Sequence, residues 1–406
     1  MASGSFAPFR HRAYLLMWLG GLVSNIGSWM ETTALSYYVA DTAKKAAWSG
    51  VVAAAGFIPT AILGPVGGAL ADRWPRRKIL IATNAASVVI ASGVAWLVHS
   101  GHATPQALAG LSLLAGCTGA IGFPAWQATL PGLVPPEELV AAVGLSSMQW
   151  NFGRVFGPLA AAVAISIGGV TSALIANAIS FFAVIIVLLF VALPYVPSVK
   201  RSIVASISDG LAYARDTPAV RSMLQMMMLT VFFAAPFIGL ISQMGKNVFH
   251  GDSRTTSILI TAQGLGAVGA GASLGALTAK FGLHRVMLGM ISLLVPSLVA
   301  YGLAPNVVLS ACCLVAVGYA YMGMLSTYIS VAQQLAPPER RGRALMANNF
   351  VLGTFYPLGL MLQGFLADRE GLQRVTVVSA LVLGAVLLIG RLVRPLHTRP
   401  ISLALG

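Results

Sequence analysis

Twelve apolar stretches, each long enough to cross a bilayer, constrain this chain more than any other feature. A helix spanning the hydrocarbon needs ~20 predominantly apolar residues. Such helices are predicted at 13–40, 48–71, 77–99, 105–130, 138–167 and 170–193, then at 219–245, 254–279, 284–303, 306–334, 341–367 and 372–394. The runs do not alternate between apolar and polar residues. Every backbone polar group in lipid must be satisfied within its own segment or a closed barrel, so helices are selected over strands. With 57% hydrophobic and 9% charged residues and a mean hydropathy of +0.83, a soluble domain of this length is excluded. Arg10 and Arg12 precede the first run, which is too long for a signal-peptide core and is read as a retained helix. Cys117, Cys312 and Cys313 fall within predicted helices at spacings that suit neither a disulfide framework nor a metal site.

The formal charge of +14 would point a soluble protein toward nucleic acid, but its distribution assigns it another role. With a cytoplasmic N-terminus, only Lys44, Lys45, Lys246, Arg254, Arg369 and Arg374 of the 25 Lys and Arg lie outside. Arg154 lies in the membrane, and all the others are cytoplasmic. This is the positive-inside bias that orients membrane proteins. The expectation is a multi-pass protein of the cell membrane with both termini cytoplasmic and no nucleic-acid partner.

The chain also repeats itself. Pro135-Pro136-Glu137 recurs as Pro337-Pro338-Glu339 at an offset of 202, and Gly157 has Gly359 at the same offset. Gly68 pairs with Gly275 at an offset of 207. The expected organisation is a six-helix bundle over 1–193, a linker at 194–218, and a second bundle with a short tail over 219–406. Ile203, Ile207, Leu211 and Tyr213 in the linker follow the pattern of an amphipathic helix lying on the cytoplasmic surface. Parallel six-helix repeats are a transporter architecture, with the substrate site near the midplane.

The loop after the second helix reads Gly68-Ala-Leu-Ala-Asp72-Arg73-Trp74-Pro75-Arg76-Arg77-Lys78. Gly68 permits close helix approach, and Asp72 can accept charge-assisted hydrogen bonds from Arg73, Arg76 or a helix terminus. In these residues the chain resembles the major facilitator superfamily, whose signature Gly-x-x-x-Asp-Arg-x-Gly-Arg-Arg occurs here; Pro75 replaces the usual Gly. The resemblance implies an all-α membrane fold of twelve helices and a cytoplasmic gate built on Gly68, Asp72, Arg73, Arg76 and Arg77. The second half carries a reduced copy in Gly275, Ala279, Lys280, Gly282 and Arg285. Gly144, Gly153, Gly157-Pro158 and Ala161-Ala162 resemble the antiporter motif of proton-coupled drug exporters, with Ala-Ala for its closing Gly-Gly. In that family this surface packs across the interface of the halves and limits leak, and it implies export. Pro124-Ala-Trp126-Gln127 and the run from Asn151 to Pro158 are similar to the enterobactin-exporter-like branch. The Arg that drug exporters commonly carry in the fourth helix is absent from 105–130.

Glu31 and Arg154 stand in long apolar stretches, where a charge costs roughly 2.5–3.5 kcal/mol on insertion scales. At ~100° per residue, Glu31 shares a stripe with Ser24, Asn25, Ser28, Thr32 and Ser36. Ser147, Asn151, Arg154 and Pro158 share another. The resemblance places the first and fifth helices against the central cavity, so both stripes are expected to line one path. A carboxyl group that moves between dry and wet surroundings, or toward a guanidinium, changes the protonation state it favours. Proton coupling needs that property, and Glu31, Arg154, Asn25, Thr32 and Asn151 are the candidates for it. Either charge has a structural alternative, a buried group satisfied by a neighbour. Trp29, Phe123, Trp126, Trp150, Phe232, Phe233, Phe350 and Tyr356 supply aromatic surface, and Met226, Met227, Met228, Met322 and Met324 adaptable surface. Asn348, Asn349, Gln333 and Gln363 offer polar contacts from the second half. Trp29, Trp126, Trp150, Phe233, Asn348 and Asn349 are the candidate substrate contacts.

The expected function is proton-coupled efflux of an amphipathic small molecule, drug or siderophore-like, by alternating access in a monomer. It needs no metal or cofactor beyond an ion gradient. An uptake permease or uniporter for a small nutrient is the alternative, and a non-transporting membrane sensor a more distant one. Enzymes are not indicated, because the chain has no Gly-rich phosphate loop, two-His metal spacing or nucleophile elbow.

Overall fold

The computed structural model describes residues 6–191, 193, 215, 217–335 and 341–393, without the side chains of 140, 341–346 and 390–393. The predicted linker, apart from Arg215, Thr217 and Pro218, lies outside these residues, as do the Pro337-Pro338-Glu339 loop and the C-terminal tail. Every regular element among the described residues is helical. In chain order these are α1 (Arg12–Ala43), α2 (Ala46–Arg73), α3 (Arg76–His99), α4 (Pro105–Thr129), α5 (Leu139–Phe190), α6 (Pro218–Phe233), α7 (Phe237–Gln243), α8 (Ser253–Phe281), α9 (Leu283–Gly302), α10 (Val307–Leu335), α11 (Arg341–Glu370) and α12 (Leu372–Val393).

Two of these depart from one helix per crossing. At ~1.5 Å per residue, α5 would extend more than twice the thickness of the hydrocarbon if it were straight. It is broken at Gly168 and Gly169, where Gly169 takes φ +69°, a conformation that only glycine adopts cheaply. The Ser172 hydroxyl donates to the Ala164 (2.6 Å) and Gly169 (2.7 Å) carbonyls beside the break. The two arms, 139–167 and 170–190, are therefore the fifth and sixth crossings, divided where the sequence predicts. The seventh crossing is not the continuous helix predicted over 219–245. It is built from α6, α7 and a π-helical turn, Met244–Val248, with a break at residues 234–236. Pro236 has no N–H to donate to the Phe232 carbonyl. The Gln363 side chain from α11 donates to the Phe232 (3.3 Å) and Phe233 (2.8 Å) carbonyls instead. With α1 this makes twelve crossings among the described residues.

Helix starts are capped where the sequence offers a cap. Thr104 accepts from the Ala107 amide at α4 and Asp252 from the Thr255 amide at α8. Asn306 accepts from the Leu309 amide at α10. Two compact units form. The first comprises Met1–Tyr38 and Ile62–Arg201, with a core around Tyr14, Trp18, Leu80, Leu145 and Leu188. The second comprises Val39–Ala61 and Ser202–Gly406, with a core around Met227, Leu259, Leu294, Tyr301 and Tyr328.

The repeat is visible in packing. A Cβ added to Gly157 would lie 2.4 Å from the Trp29 Cβ and 3.0 Å from the Met30 amide nitrogen. One added to Gly359 would lie 2.2 Å from the Phe232 carbonyl oxygen. Met30 and Phe232 stand at the same offset of 202 as the two glycines. The same close helix crossing is thus made once in each half.

Candidate transport site

The seam of α1 against the first arm of α5 builds the site in the first unit. At one end it is stapled by polar contacts. His11 bonds to Glu138 at 3.0 Å, and the Tyr14 hydroxyl donates to the Ala142 carbonyl at 2.8 Å. The Trp18 indole donates to the Leu145 carbonyl at 2.9 Å, and the Gln149 amide returns a bond to the Trp18 carbonyl. Further along, the seam closes on glycine: Gly153 against Asn25 and Gly157 against Trp29 and Met30. These pairs rise together at four-residue steps on both helices, so a single ridge of glycine accepts α1. The antiporter-like glycines Gly153 and Gly157 therefore pack against α1 within the first unit. Gly144 is exposed with nothing near it, and Pro158 is buried beside Gly157.

Directly after Met30 lies Glu31, half-buried, and its carboxylate accepts from the Asn177 side-chain amide. Asn177, on the second arm of α5, is fully buried, and the Ser180 hydroxyl donates to its carbonyl (2.8 Å) and side-chain oxygen (3.2 Å). Asn177 is the residue that sequence reasoning missed. A lone Asn within an apolar run was its only signal. Arg154 is 5% exposed and its guanidinium lies over Trp29, 5.2 Å from the ring centroid. Asn177 thus holds the Glu31 carboxylate, and Trp29 lies under the Arg154 guanidinium.

Trp29 continues into an aromatic row. Its ring meets Trp150 edge-on at 6.2 Å, and Trp150 meets Phe123 at 6.3 Å. Trp150 and Phe123 are 45% and 54% exposed. Several other candidates are taken up by packing. Trp126 covers Gly21, and Asn25 donates to Gln149 at 3.4 Å. Asn151 donates to the Ser147 carbonyl and Thr32 to the Ser28 carbonyl, both within their own helices.

In the second unit, Phe233 stacks edge-on to Phe232 at 5.0 Å. Asn348 is buried, with no hydrogen-bond partner for its amide oxygen among the described residues, whereas Asn349 is exposed. Gln363, expected as a polar contact, is occupied with the α6 carbonyls. Met227 and Met324 are fully buried core residues, so they provide no adaptable cavity surface.

At the other end of α2, Asp72 and Arg73 are exposed and Gly68 has open space around it. Arg76 donates to the Ala128 carbonyl at 2.6 Å, and Arg77 to the Leu189 carbonyl at 2.9 Å. Both carbonyls belong to helix C-termini, where a cation is favoured by the unsatisfied C=O groups and the helix dipole. These two arginines therefore fasten α3 to α4 and α5 within the first unit.

Twelve crossings among the described residues, with a half-buried acid, a buried arginine and an aromatic row, make the frame of a multi-pass membrane transporter. The chain is a member of the major facilitator superfamily. Within it, the chain belongs to the transmembrane secretion effector family, MFS_3, whose profile matches residues 3–399. It is 25% identical to macrolide efflux protein A of Streptococcus pyogenes, over 90% of this chain and 92% of that protein. To the staphyloferrin A transporter of Staphylococcus aureus it is 24% identical, over 86% and 88%. Its fold matches that of a bacterial homolog of the human lysosomal transporter Spinster with a TM-score of 0.75, at 15% identity and covering 98% and 99% of the two chains.

Proposed function

We propose that the protein exports an amphipathic small molecule in exchange for protons, by alternating access, with Glu31 as the proton-carrying group. The observation that carries this reading is the Glu31–Asn177 bond beside Trp29. A carboxyl group in hydrocarbon is costly, and this one is held by a neutral amide that can serve either protonation state. Asn177 donates to a carboxylate, and its side-chain oxygen can accept from a carboxylic acid. The aromatic row of Trp29, Trp150 and Phe123 offers flat apolar surface with a cation at one end, which suits a solute with both apolar and polar parts. The relatives named for efflux of a macrolide and for staphyloferrin A support an amphipathic cargo and outward direction. The protein works as a monomer with both termini cytoplasmic. It is driven by the proton gradient without a cofactor, and it has no nucleic-acid partner.

Everted vesicles with an acidic interior and a trapped pH dye test this reading. Adding lipophilic cations, macrolides or carboxylate siderophores one at a time is expected to release protons with one class, and Glu31→Gln is expected to abolish that release. Cargo movement that persists in Glu31→Gln with an unchanged proton flux would remove Glu31 from the coupling role.

A further inference from the structure

The α1–α2 turn carries a second polar assembly, contained in the second unit. Lys44 has φ +53°, and α2 starts at Ala46 with Lys45 before it, so no Ser, Thr, Asp or Asn of its own caps the first amides. Asp368 of α11 does so instead, accepting from Ala46 N at 2.6 Å and Ala47 N at 3.2 Å. Lys246 pairs with Asp41 at 2.8 Å, and Arg374 with Glu370 at 2.8 Å. Below the cap the two helices meet closely, as a Cβ on Gly364 would lie 2.8 Å from the Ala46 oxygen and one on Gly50 2.7 Å from the Leu360 oxygen.

Beside this seam opens a cleft of about 420 Å³ lined by Lys45, Ala47, Trp48, Val51, Phe365, Asp368 and Arg369. The nearby acids are already engaged: Asp368 by two backbone amides, Asp41 by Lys246 and Glu370 by Arg374. Among the described residues neither Lys45 nor Arg369 has an ion-pair partner. The two cations thus outnumber the one carboxylate in the cleft, Asp368, whose oxygens are taken up by the α2 amides. The depth of the cleft identifies the solvent around it. Twenty-eight residues of α2 at ~1.5 Å each exceed the ~30 Å of hydrocarbon, so its first turn reaches headgroup level. Trp48 and Phe365, the latter 54% exposed, form the cleft's apolar walls at the depth where interfacial aromatics sit.

We infer that this cleft holds the headgroup of an anionic phospholipid from the leaflet at the α1–α2 turn. The phosphate lies against Lys45 and Arg369, and the glycerol and first acyl carbons lie against Trp48, Val51 and Phe365. Because the walls come from both α2 and α11, the bound lipid bridges the seam and favours the state in which the two helices are packed.

Native mass spectrometry of the full chain from mixed phosphatidylglycerol and phosphatidylcholine micelles tests this. The wild type is expected to retain one phosphatidylglycerol preferentially. Lys45→Gln with Arg369→Gln is expected to weaken that retention at least about fivefold, in keeping with the attraction of paired cations for anionic lipid, and to leave phosphatidylcholine unchanged. Arg254→Gln, an exposed charge at the start of α8, is the folded control and should retain lipid as the wild type does. Equal retention of the two lipids by the wild type, or an equal loss in Arg254→Gln, overturns the assignment. A water-soluble glycerophosphate that competes as strongly as the lipid overturns it too, since the aromatic walls would then contribute nothing.

Discussion

Gly157→Ala places a methyl group where α5 touches α1. The added Cβ would lie 2.4 Å from the Trp29 Cβ and 3.0 Å from both the Trp29 carbonyl carbon and the Met30 nitrogen. Ordinary carbon contacts need about 3.5–4.0 Å, and two of these three neighbours are backbone atoms that no rotamer change can move. The helices must part locally by about 1 Å, at a cost of roughly 1–3 kcal/mol for overpacking. Gly153→Ala meets the Asn25 Cβ at 2.9 Å and should cost less, because that gap is wider than the 2.4 Å at Gly157. Gly144→Ala meets nothing and should gain up to about 1 kcal/mol from the helix preference of alanine. Thermal unfolding of the purified protein, followed by tryptophan fluorescence, is expected to rank Gly144→Ala at or above wild type, then Gly153→Ala, then Gly157→Ala several degrees below. Transport should fall in the same order, because Trp29 carries the Arg154 contact and Glu31 is two residues further on. If Gly144→Ala were as damaging as Gly157→Ala, the glycines would act as one smooth surface in the way the family resemblance implies. The two-point seam against α1 would then be refuted.

Three further outcomes follow from individual contacts. Gln363→Leu leaves the Phe232 and Phe233 carbonyls at the α6 break without a donor; a loss of about 1–3 kcal/mol is expected, read as a lower unfolding temperature, with exposed Asn349→Leu as the control that changes little. Asp368→Ala removes the α2 cap at about 0.5–2 kcal/mol, while Asp368→Asn keeps most of it, since Asn caps nearly as well; equal melting of the two variants would dismiss the capping role. Asp252, chiefly through the Thr255 amide that donates to it, has its pKa pushed below the ordinary carboxylate range. A depressed group stabilises above its unfolded value and loses that contribution as pH falls through the folded value. The stability gap between wild type and Asp252→Ala should therefore hold at neutral pH and narrow below about pH 4, as followed by unfolding temperature across a pH series.

Crossing positions were legible because hydropathy and glycine act locally. Gly168-Gly169 separates two apolar runs, and the break in α5 falls there. The break in α6–α7 was hidden, since Ala234, Ala235 and Pro236 sit in an unbroken apolar run and proline alone does not say whether a helix bends or stops. What decided it was Gln363, more than a hundred residues away, which supplies the donors that let the chain stop. Asp368 was equally silent: an acid near a helix end reads as solvated until the uncapped amides of α2 are seen beside it. Asn177 belongs to the same class. Its helix face was readable, but the identity of its partner is a tertiary fact. The glycines show the converse limit, because the motif was plain and the surface it contacts was not.

A polar residue inside the membrane is a functional candidate by default, and this chain shows how to narrow that default. Gln149, Gln243 and Gln363 each spend an amide donor on a backbone carbonyl, of Trp18, Lys45 and Phe233 respectively. Arg76 and Arg77 do the same at helix ends. Removing Gln149 or Gln363 would leave a backbone group that lipid cannot satisfy, so the fold alone accounts for their presence. Glu31 and Asn177 differ, because the bond joins two side chains and no backbone group depends on the carboxylate. Replacing a buried polar pair with apolar residues of similar shape can be neutral or stabilising. The fold therefore gains little from keeping an acid at position 31, which favours the proposed role in proton exchange over structural repair.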